Sequence, residues 1–524
     1  IRNYWFELKI LFVLDMPFLE EAVKQVLERS ACGRVWVTIH SPEIRLTNGE
    51  SLLDALELNW DFRGCSYLPV QVCMNRIKNS LNQGHHIEYV HLLADFNVGY
   101  YYSPQFYQLL SISKIPISKS LYLYQNKTTL SCIPSPKLHN ILSQVSSILQ
   151  IGVFADRPIS WNSALAVYQV YSREGHVVTN IALGEVDLPA GWQNGAGVKG
   201  PQCLWPWVGA GSTSIVAYNC LKIQPTWMED NAARINGMRI GDLAIPGAHN
   251  AGAWRFDTEI STAARDGFVL CQDRSIWAQL VHGIRYFDFR ISYYESYVDF
   301  EDRYWLSHNL IRVRPLVPLL REIRAFLDST KEVVFLDAHH FPIGFYESNG
   351  APIRRVHAGL LELVQRELGP HLAFATDFGT GIGTRGPTVQ SLINADKRLL
   401  FSYVDNAIVA ENNWLWPILP HLWANTNSVT TLFEFLDRTI TEHPLPAARS
   451  PLYSAMAQTT PSVLDILLAR GSLRANADAV NRNVTERLTT LWRNSANIIS
   501  TDFFLGNDVI DIAIAVNSER GAGL

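Results

Sequence analysis

The C-terminal part of the chain alternates strand-like and helix-like segments, and this alternation limits the fold more than any other feature. "IGDLAIPGAHN" reads as a strand running into a Pro-Gly turn, with His249 and Asn250 just beyond it. "IWAQLVHGIRYFDFRIS" reads as a helix, a stop at Gly283, and a strand. "LVPLLREIRAFLDST" places Leu316, Leu319, Leu320, Ile323, Phe326 and Leu327 on one helical stripe. "EVVFLDAHHF" has the pattern of a buried strand, "VHAGLLELVQREL" of a helix, and "KRLLFSYVD" of a strand. "SVLDILLARG" is a helix closed by Gly471, "NIISTDFF" a strand, and "GNDVIDIAIAVNSE" a last helix. Repeated βα units over 235–524 predict an α/β domain built as a (β/α) TIM-type barrel, distorted or regular. A doubly wound open sheet is the alternative, but no glycine-rich phosphate loop follows the first strand.

The N-terminal part has a different rhythm. Residues 1–31 hold a segment with a short helix at 18–30, "FLEEAVKQVLERS". "CGRVWVTIHSPEIRL" and "LELNWDF" alternate as strands do, and so do "LAVYQVYS", "HVVTNIAL" and "STSIVAYNCLKI". These predict a small antiparallel β-sandwich over 32–222, with an unassigned insertion at about 66–150. "QPTWMEDNAARINGMRIGD" serves as linker and entry helix.

At 524 residues, 48% hydrophobic and 18% charged, the chain has ample core for several domains. A net charge of -5 points away from nucleic acid, so a phosphate-bearing partner needs a local cationic pocket. The fifteen Trp and twenty Tyr suit packing first, and contact with sugars or a lipid interface second. Six of the seven cysteines (Cys32, Cys65, Cys73, Cys132, Cys203, Cys220) precede residue 221, and Cys271 stands apart. No CxxC pair marks a zinc site, and the cluster hints at disulfides. With sequons at Asn126 and Asn483, this leans toward an extracellular or secretory-pathway protein, with the cytoplasm as the alternative. The chain opens on Ile. "LKILFVLD" is too short to span a bilayer and makes a poor signal peptide, and no transmembrane segment is expected.

Polar residues collect at the predicted strand ends. His249 and Asn250 follow the first strand. Asp288 and Arg290 lie two apart, so both face one side of their strand. His308 ends "RYWLSHN", His339 and His340 end "EVVFLDAHH", Tyr403 and Asp405 end "LLFSYVD", and Asp502 ends "NIISTDFF". Any one of these has a structural explanation, since "FDFR" alone is often a buried ion pair. Together, at the mouth of a barrel, they predict a site. Two histidines can exchange protons near neutral pH, an arginine fork stabilises a phosphoryl anion, and a carboxylate fixes a histidine tautomer. That set suits phosphodiester cleavage by an internal hydroxyl.

"IPGAHNAG", "GIRYFDFRI", "LSHNL", "EVVFLDAHHF", "LWANT" and "NIISTDFF", in this order, resemble the phosphatidylinositol-specific phospholipase C X-domain-containing proteins, over about 235–524. The preceding β segment resembles that of the arthropod members. The resemblance implies that His249 deprotonates the inositol 2-hydroxyl and His308 protonates the departing diacylglycerol oxygen, giving inositol 1,2-cyclic phosphate. It implies that Asp502 orients His249, Arg290 neutralises the phosphate, and Asp288 holds Arg290 or His308. The calcium-dependent eukaryotic enzymes carry an acidic residue at the position of Arg290 and a glutamate at that of Ala338. No metal or other cofactor is therefore expected, and Ca2+ is disfavoured. Asn250 departs from the bacterial pattern, which has Asp there, and implies reduced turnover. The inositol-binding lysines of the bacterial enzymes have no counterpart. His339, His340, Tyr403, Trp423 and Asn425 are the candidate substrate-binding residues.

The implied partner is an inositol phospholipid or lipid-anchored substrate at a membrane surface. Two other readings stand beside this one. A catalytically weak barrel would bind lipid or another ligand. A glycerophosphodiester or sphingomyelin phosphodiesterase would share the paired histidines but need a carboxylate cluster for metal, against which Arg290 speaks.

Overall fold

The computed structural model describes residues 4–11, 34–40, 58–60, 89–96, 129–130, 149–170, 177–178, 181, 188, 192, 200–254, 267–378, 385–442, 452–462, 465–466 and 470–523. The chain divides into two compact units, Ile1–Ile115 and Pro116–Leu524.

In the first unit, strands β1 (Tyr4–Leu11), β2 (Arg34–His40), β3 (Leu58–Trp60) and β4 (Tyr89–Phe96) form an antiparallel sheet in the order β1-β4-β2-β3. Strand β4 comes from the stretch that was left unassigned, and the expected helix at 18–30 lies outside the described residues.

The second unit opens with two small sheets. Strands β5 (Thr129–Leu130) and β8 (Val177–Val178) pair with each other. Strands β6 (Leu149–Phe154), β7 (Ala164–Val170), β9 (Gln202–Gly211) and β10 (Ile215–Ile223) form an antiparallel sheet in the order β10-β9-β6-β7. Of the strands expected in the sandwich, those at 34–40 and 58–60 pair in a sheet with β1 and β4, those at 149–170 and 202–223 pair with one another, and that at 177–178 pairs with β5. A disulfide joins Cys203 on β9 to Cys220 on β10, while Cys271 is free and buried.

From residue 245 the strands turn parallel. They are β11 (Ile245–Ala248), β12 (Tyr286–Tyr293), β15 (Val334–His340), β16 (Leu399–Tyr403), β17 (His421–Leu422), β18 (Ser454–Ala457) and β19 (Ile498–Thr501). Their order is β16-β15-β12-β11-β19-β18-β17, as expected of successive βα units wound in one direction. The expected closed barrel is not seen. Among the described strands no ladder joins β16 to β17. The edge of β16 is met instead by two isolated bridges, Leu372 with Leu399 and Ser402 with Trp416, with Trp416 N donating to Phe401 O at 3.0 Å. The local reason is composition: Pro417 and Pro420 stand just before β17 and lack the amide donors a longer ladder needs.

Helices Ile276–His282, Leu316–Ser329, Arg354–Leu368, Val429–Glu442, Leu473–Thr489 and Val509–Arg520 alternate with these strands. The first is capped by Ser275, which accepts from Ala278 N, and ends where Gly283 takes φ 121°, out of reach for an ordinary side chain. The predicted stripe from Leu316 to Leu327 is buried. It packs in one cluster with Phe287, Phe289, Leu336 and Phe401, the outward faces of β12, β15 and β16. Each such side chain contributes about 1.5–3 kcal/mol on burial. Alternation then turns Tyr286, Asp288 and Arg290, and Asp337 and His339, to the other side.

One further pair of strands extends the sheet. Strands β13 (Tyr304–His308) and β14 (Ile311–Pro315) form a hairpin running antiparallel to the end of β12. Asn309 takes φ 51° in its turn. His308 therefore does not sit at the end of a parallel barrel strand, as expected. It comes back along β12 toward Arg290.

Candidate active site

His249 follows β11, and Asp502 follows β19. The two strands pair residue by residue, Ala248 opposite Thr501, so residues 253 positions apart become neighbours. Asp502 Oδ1 lies 2.7 Å from His249 Nδ1. On the other side of the ring, Arg290 donates to His249 Nε2 at 2.6 Å. A guanidinium N–H can only donate, so Nε2 accepts, and the imidazole proton sits on Nδ1 facing Asp502. The base is held as the tautomer whose lone pair looks toward Arg290.

Asp288 completes the group. Its Oδ2 accepts from Arg290 at 3.2 Å and from the Asn250 amide N at 3.0 Å, and lies 3.9 Å from His249 Nε2. Burial alone would raise this carboxyl's pKa. The Arg290 guanidinium beside it outweighs burial and holds it well below the usual carboxylate range. Asp288 is therefore an anion locked to a cation. Its Oδ1, the Nε of Arg290 and the Nδ2 of Asn250 are nonetheless buried without a hydrogen-bond partner. Such leftover capacity suits a site waiting for a ligand.

His308 shares this environment. Burial lowers its pKa to about 3, and the positive charge of Arg290 pushes in the same direction. It is neutral in the free site and hydrogen-bonds the backbone of Phe268.

Small residues let these groups meet. A side chain on Gly252 would reach within 2.0 Å of Leu306 on β13, so the loop after His249 can approach the hairpin only with glycine there. Asn250 adopts φ 39°, a left-handed turn that asparagine tolerates better than most residues.

Two contributors escaped the sequence reading. Gln272 donates to His249 O at 2.9 Å and to Thr501 O at 2.8 Å, tying the ends of β11 and β19 together. Cys271 lies beside the histidine and its carboxylate, with Sγ within 4.8 Å of ligand atoms of His249 and Asp502. Burial, and then the Asp502 charge, raise its thiol pKa well above normal, so it stays protonated. Both residues sit in a loop with no periodicity to flag them.

The expected substrate-binding residues divide. His339 faces inward, its ring stacked on His421 with centroids 3.3 Å apart. Burial lowers its pKa to about 4, and the neighbouring His421 adds to the effect. His340 is exposed at the end of β15. Tyr403 is a correction. It lies two residues beyond Phe401 and so shares that residue's outward face, where its hydroxyl meets His357 Nδ1 at 2.6 Å in the helix layer. Asp405 caps the next helix, accepting from Ala407 N and Ile408 N. Trp423 is 50% exposed, its Nε1 donating to Thr460 Oγ1. Asn425 is exposed with φ 46°. Nothing ties either to the histidines.

No family model matches the chain. Among curated proteins it is 29% identical over 317 residues to PI-PLC X domain-containing protein 2 of Mus musculus, covering 55% of this chain and 86% of that protein. It is 25% identical over 324 residues to the Homo sapiens PI-PLC X domain-containing protein 3, covering 56% and 92%. A shorter match, 32% over 154 residues, links it to the variant-surface-glycoprotein phospholipase C of Trypanosoma brucei brucei, covering 24% and 41%. Of solved structures, phosphatidylinositol-specific phospholipase C from Listeria monocytogenes aligns with a TM-score of 0.42 at 19% identity, covering 56% of this chain and 98% of that one. The resemblance read from the motifs is therefore matched by whole-sequence comparison: over more than half its length, this chain is a relative of the PI-PLC X domain-containing proteins 2 and 3.

Proposed function

We propose that the chain is a phosphodiesterase of the phosphatidylinositol phospholipase C type, acting without a metal on an inositol phospholipid or lipid-anchored substrate at a membrane surface. The observation that carries this reading is the chain Asp502–His249–Arg290–Asp288, linked end to end by contacts of 2.7, 2.6 and 3.2 Å, with His308 beside it. The names of the relatives support the reaction class.

In this mechanism a phosphodiester anion takes the free donors of Arg290. The guanidinium swings off His249 Nε2 toward the phosphate and frees the lone pair for the inositol 2-hydroxyl. His249 removes that proton, and the alkoxide oxygen bonds to phosphorus. The bond from phosphorus to the diacylglycerol oxygen breaks, and His308 gives that oxygen its proton. The products are diacylglycerol and inositol 1,2-cyclic phosphate. The phosphate's charge opposes the effect of Arg290 on His308, so substrate binding helps His308 take up the proton it must deliver. Arg290 stands beside Asp288 and supplies the positive charge, which supports a metal-free reaction.

Asn250 favours a second reading, a barrel that binds the lipid with little turnover, because an amide cannot share a proton with the leaving group. The Cys203–Cys220 bridge favours an oxidising compartment. No helix among the described residues is long and apolar enough to cross a membrane. The test is release of cyclic inositol phosphate from radiolabelled phosphatidylinositol in the presence of chelator. We expect release that His249→Ala and His308→Ala each abolish. Activity that appears only with added calcium would overturn the metal-free reading, and liposome binding without release would favour the weak binder.

A further inference from the structure

We propose that Asp337, His339 and His421 form a site for a single divalent transition-metal ion of the zinc class, built from none of the residues of the neighbouring Arg290 centre. Asp337 and His339 are two apart on β15 and share its inward face. His421 comes from β17. One ligand atom from each of the three lies within 4.8 Å of the others. Ligand atoms around one tetrahedral zinc ion stand about 3.3 Å apart, so the three groups would close in by up to about 1.5 Å on binding. A carboxylate with two imidazoles is a donor set that favours zinc or cobalt over magnesium or calcium, which prefer oxygen.

Charge gives the first reason for an ion here. Asp288 and Asp337 are buried carboxylates at paired positions on adjacent strands. Asp288 has a permanent cation in Arg290, whereas the hydrogen-bond partners of Asp337 are Tyr286 and His421. Tyr286 Oη donates to Asp337 Oδ2 at 2.7 Å, and His421 Nε2 lies 2.9 Å from that same oxygen and 2.9 Å from the tyrosine oxygen.

The second reason is a loose end. His339 Nδ1 is buried and has no hydrogen-bond partner. Its ring lies 12° from parallel to that of His421, so the two must splay for both lone pairs to meet one ion. His339 is the ring that turns, since His421 is anchored by Asp337 and Tyr286. Tyr286 then becomes the outer partner that orients the carboxylate.

The test uses the full chain freed of metal with chelator, then titrated with Zn2+ alone and with Co2+ alone, following heat and the visible absorption of Co2+. We expect one ion per chain, and no heat from Ca2+ or Mg2+ at the same concentrations. His421→Ala, His339→Ala and Asp337→Asn should each weaken binding by at least the roughly 100-fold that even outer-partner losses reach, and Tyr286→Phe by about 10–100-fold. Arg290→Lys and Cys271→Ser should leave binding unchanged. If Asp337→Asn fails to fold, His339→Ala decides, because that ring is only partly buried and its Nδ1 makes no bond. Absence of stoichiometric binding by the wild type would overturn the proposal, and so would undiminished binding by His339→Ala. Loss of binding in Cys271→Ser would also overturn it, moving the ion to His249, Cys271 and Asp502.

Discussion

Two buried arginine–carboxylate pairs, one just before strand β12 and one on it, differ in what they leave undone. Arg285, just before the strand, has all its donors occupied. Its Nε and one terminal nitrogen hold Glu332 at 2.8 and 2.7 Å, and the others reach the carbonyls of Leu280, Ile284 and Pro225. Glu332 in turn accepts from the amides of Met228 and Glu229. Both side chains are 0% exposed. Arg290, five residues on, is 17% exposed, shares one nitrogen between His249 and Asp288, and leaves its Nε without a partner. The first pair has no capacity left and acts as a rivet at the base of the sheet. The second keeps capacity in reserve for an anion. Unused hydrogen bonding, rather than burial or charge, separates the structural pair from the functional one.

The contrast can be broken by experiment. Glu332→Ala strands the buried Arg285 cation, and urea unfolding should show a loss of about 3–5 kcal/mol. Equal stability to wild type would mean the base pair is no rivet. Next in size, Arg290→Lys removes the planar fork and should lower kcat by about 10²–10³-fold while stability moves by less than about 1 kcal/mol. A large fall in melting temperature instead would make the two arginines equivalent.

The pH dependence sharpens the same contrast. His282, buried and bonded to Lys222 O at 2.8 Å, has its pKa lowered to about 4, as has His339, and His308 goes to about 3. In each case the unfolded state takes up the proton first, near pH 6.5, so protonation favours unfolding. Stability is fully present above pH 6.5 and falls as the pH drops toward 4, and further toward 3 for His308. Each fully shifted histidine contributes a slope of roughly 1 kcal/mol per pH unit. Melts between pH 7.5 and 4.5 should show this loss, and His339→Gln should remove that residue's share while leaving those of His282 and His308. Smallest of all, Tyr403→Phe gives up one hydroxyl bond to His357 and should lower stability by about 1 kcal/mol with KM for phosphatidylinositol unchanged. A raised KM would return Tyr403 to the substrate pocket.

Tyr403 also marks where the sequence stopped being legible. The βα rhythm located β11, β12, β15, β16 and β19 but not the short β17 and β18, and the two-residue spacing of Asp288 and Arg290 put both on the inward face. The same counting from Phe401 turns Tyr403 outward, but a polar residue at a strand end drew the eye to the mouth instead. The hairpin carrying His308 was hidden because "RYWLSHN" has the same strand pattern whichever way the strand runs. The seam beside β16 follows from Pro417 and Pro420, whose effect depends on which strand they would have to pair with. Cys271 and Gln272 reach the site from a loop, where local pattern carries no information about what lies opposite. The pairing of β11 with β19 is a long-range contact for which no local signal exists, although both partners were picked out as strand ends.

That last pairing has a consequence for how the protein is made. The base at 249 and the carboxylate at 502 meet through the contact between β11 and β19, so a nascent chain carries an incomplete centre for as long as residues 498–502 remain unsynthesised. Contacts so distant along the chain form late and slowly. A chain cut short before residue 498 would keep His249 and Arg290 but lack the carboxylate that fixes the imidazole tautomer.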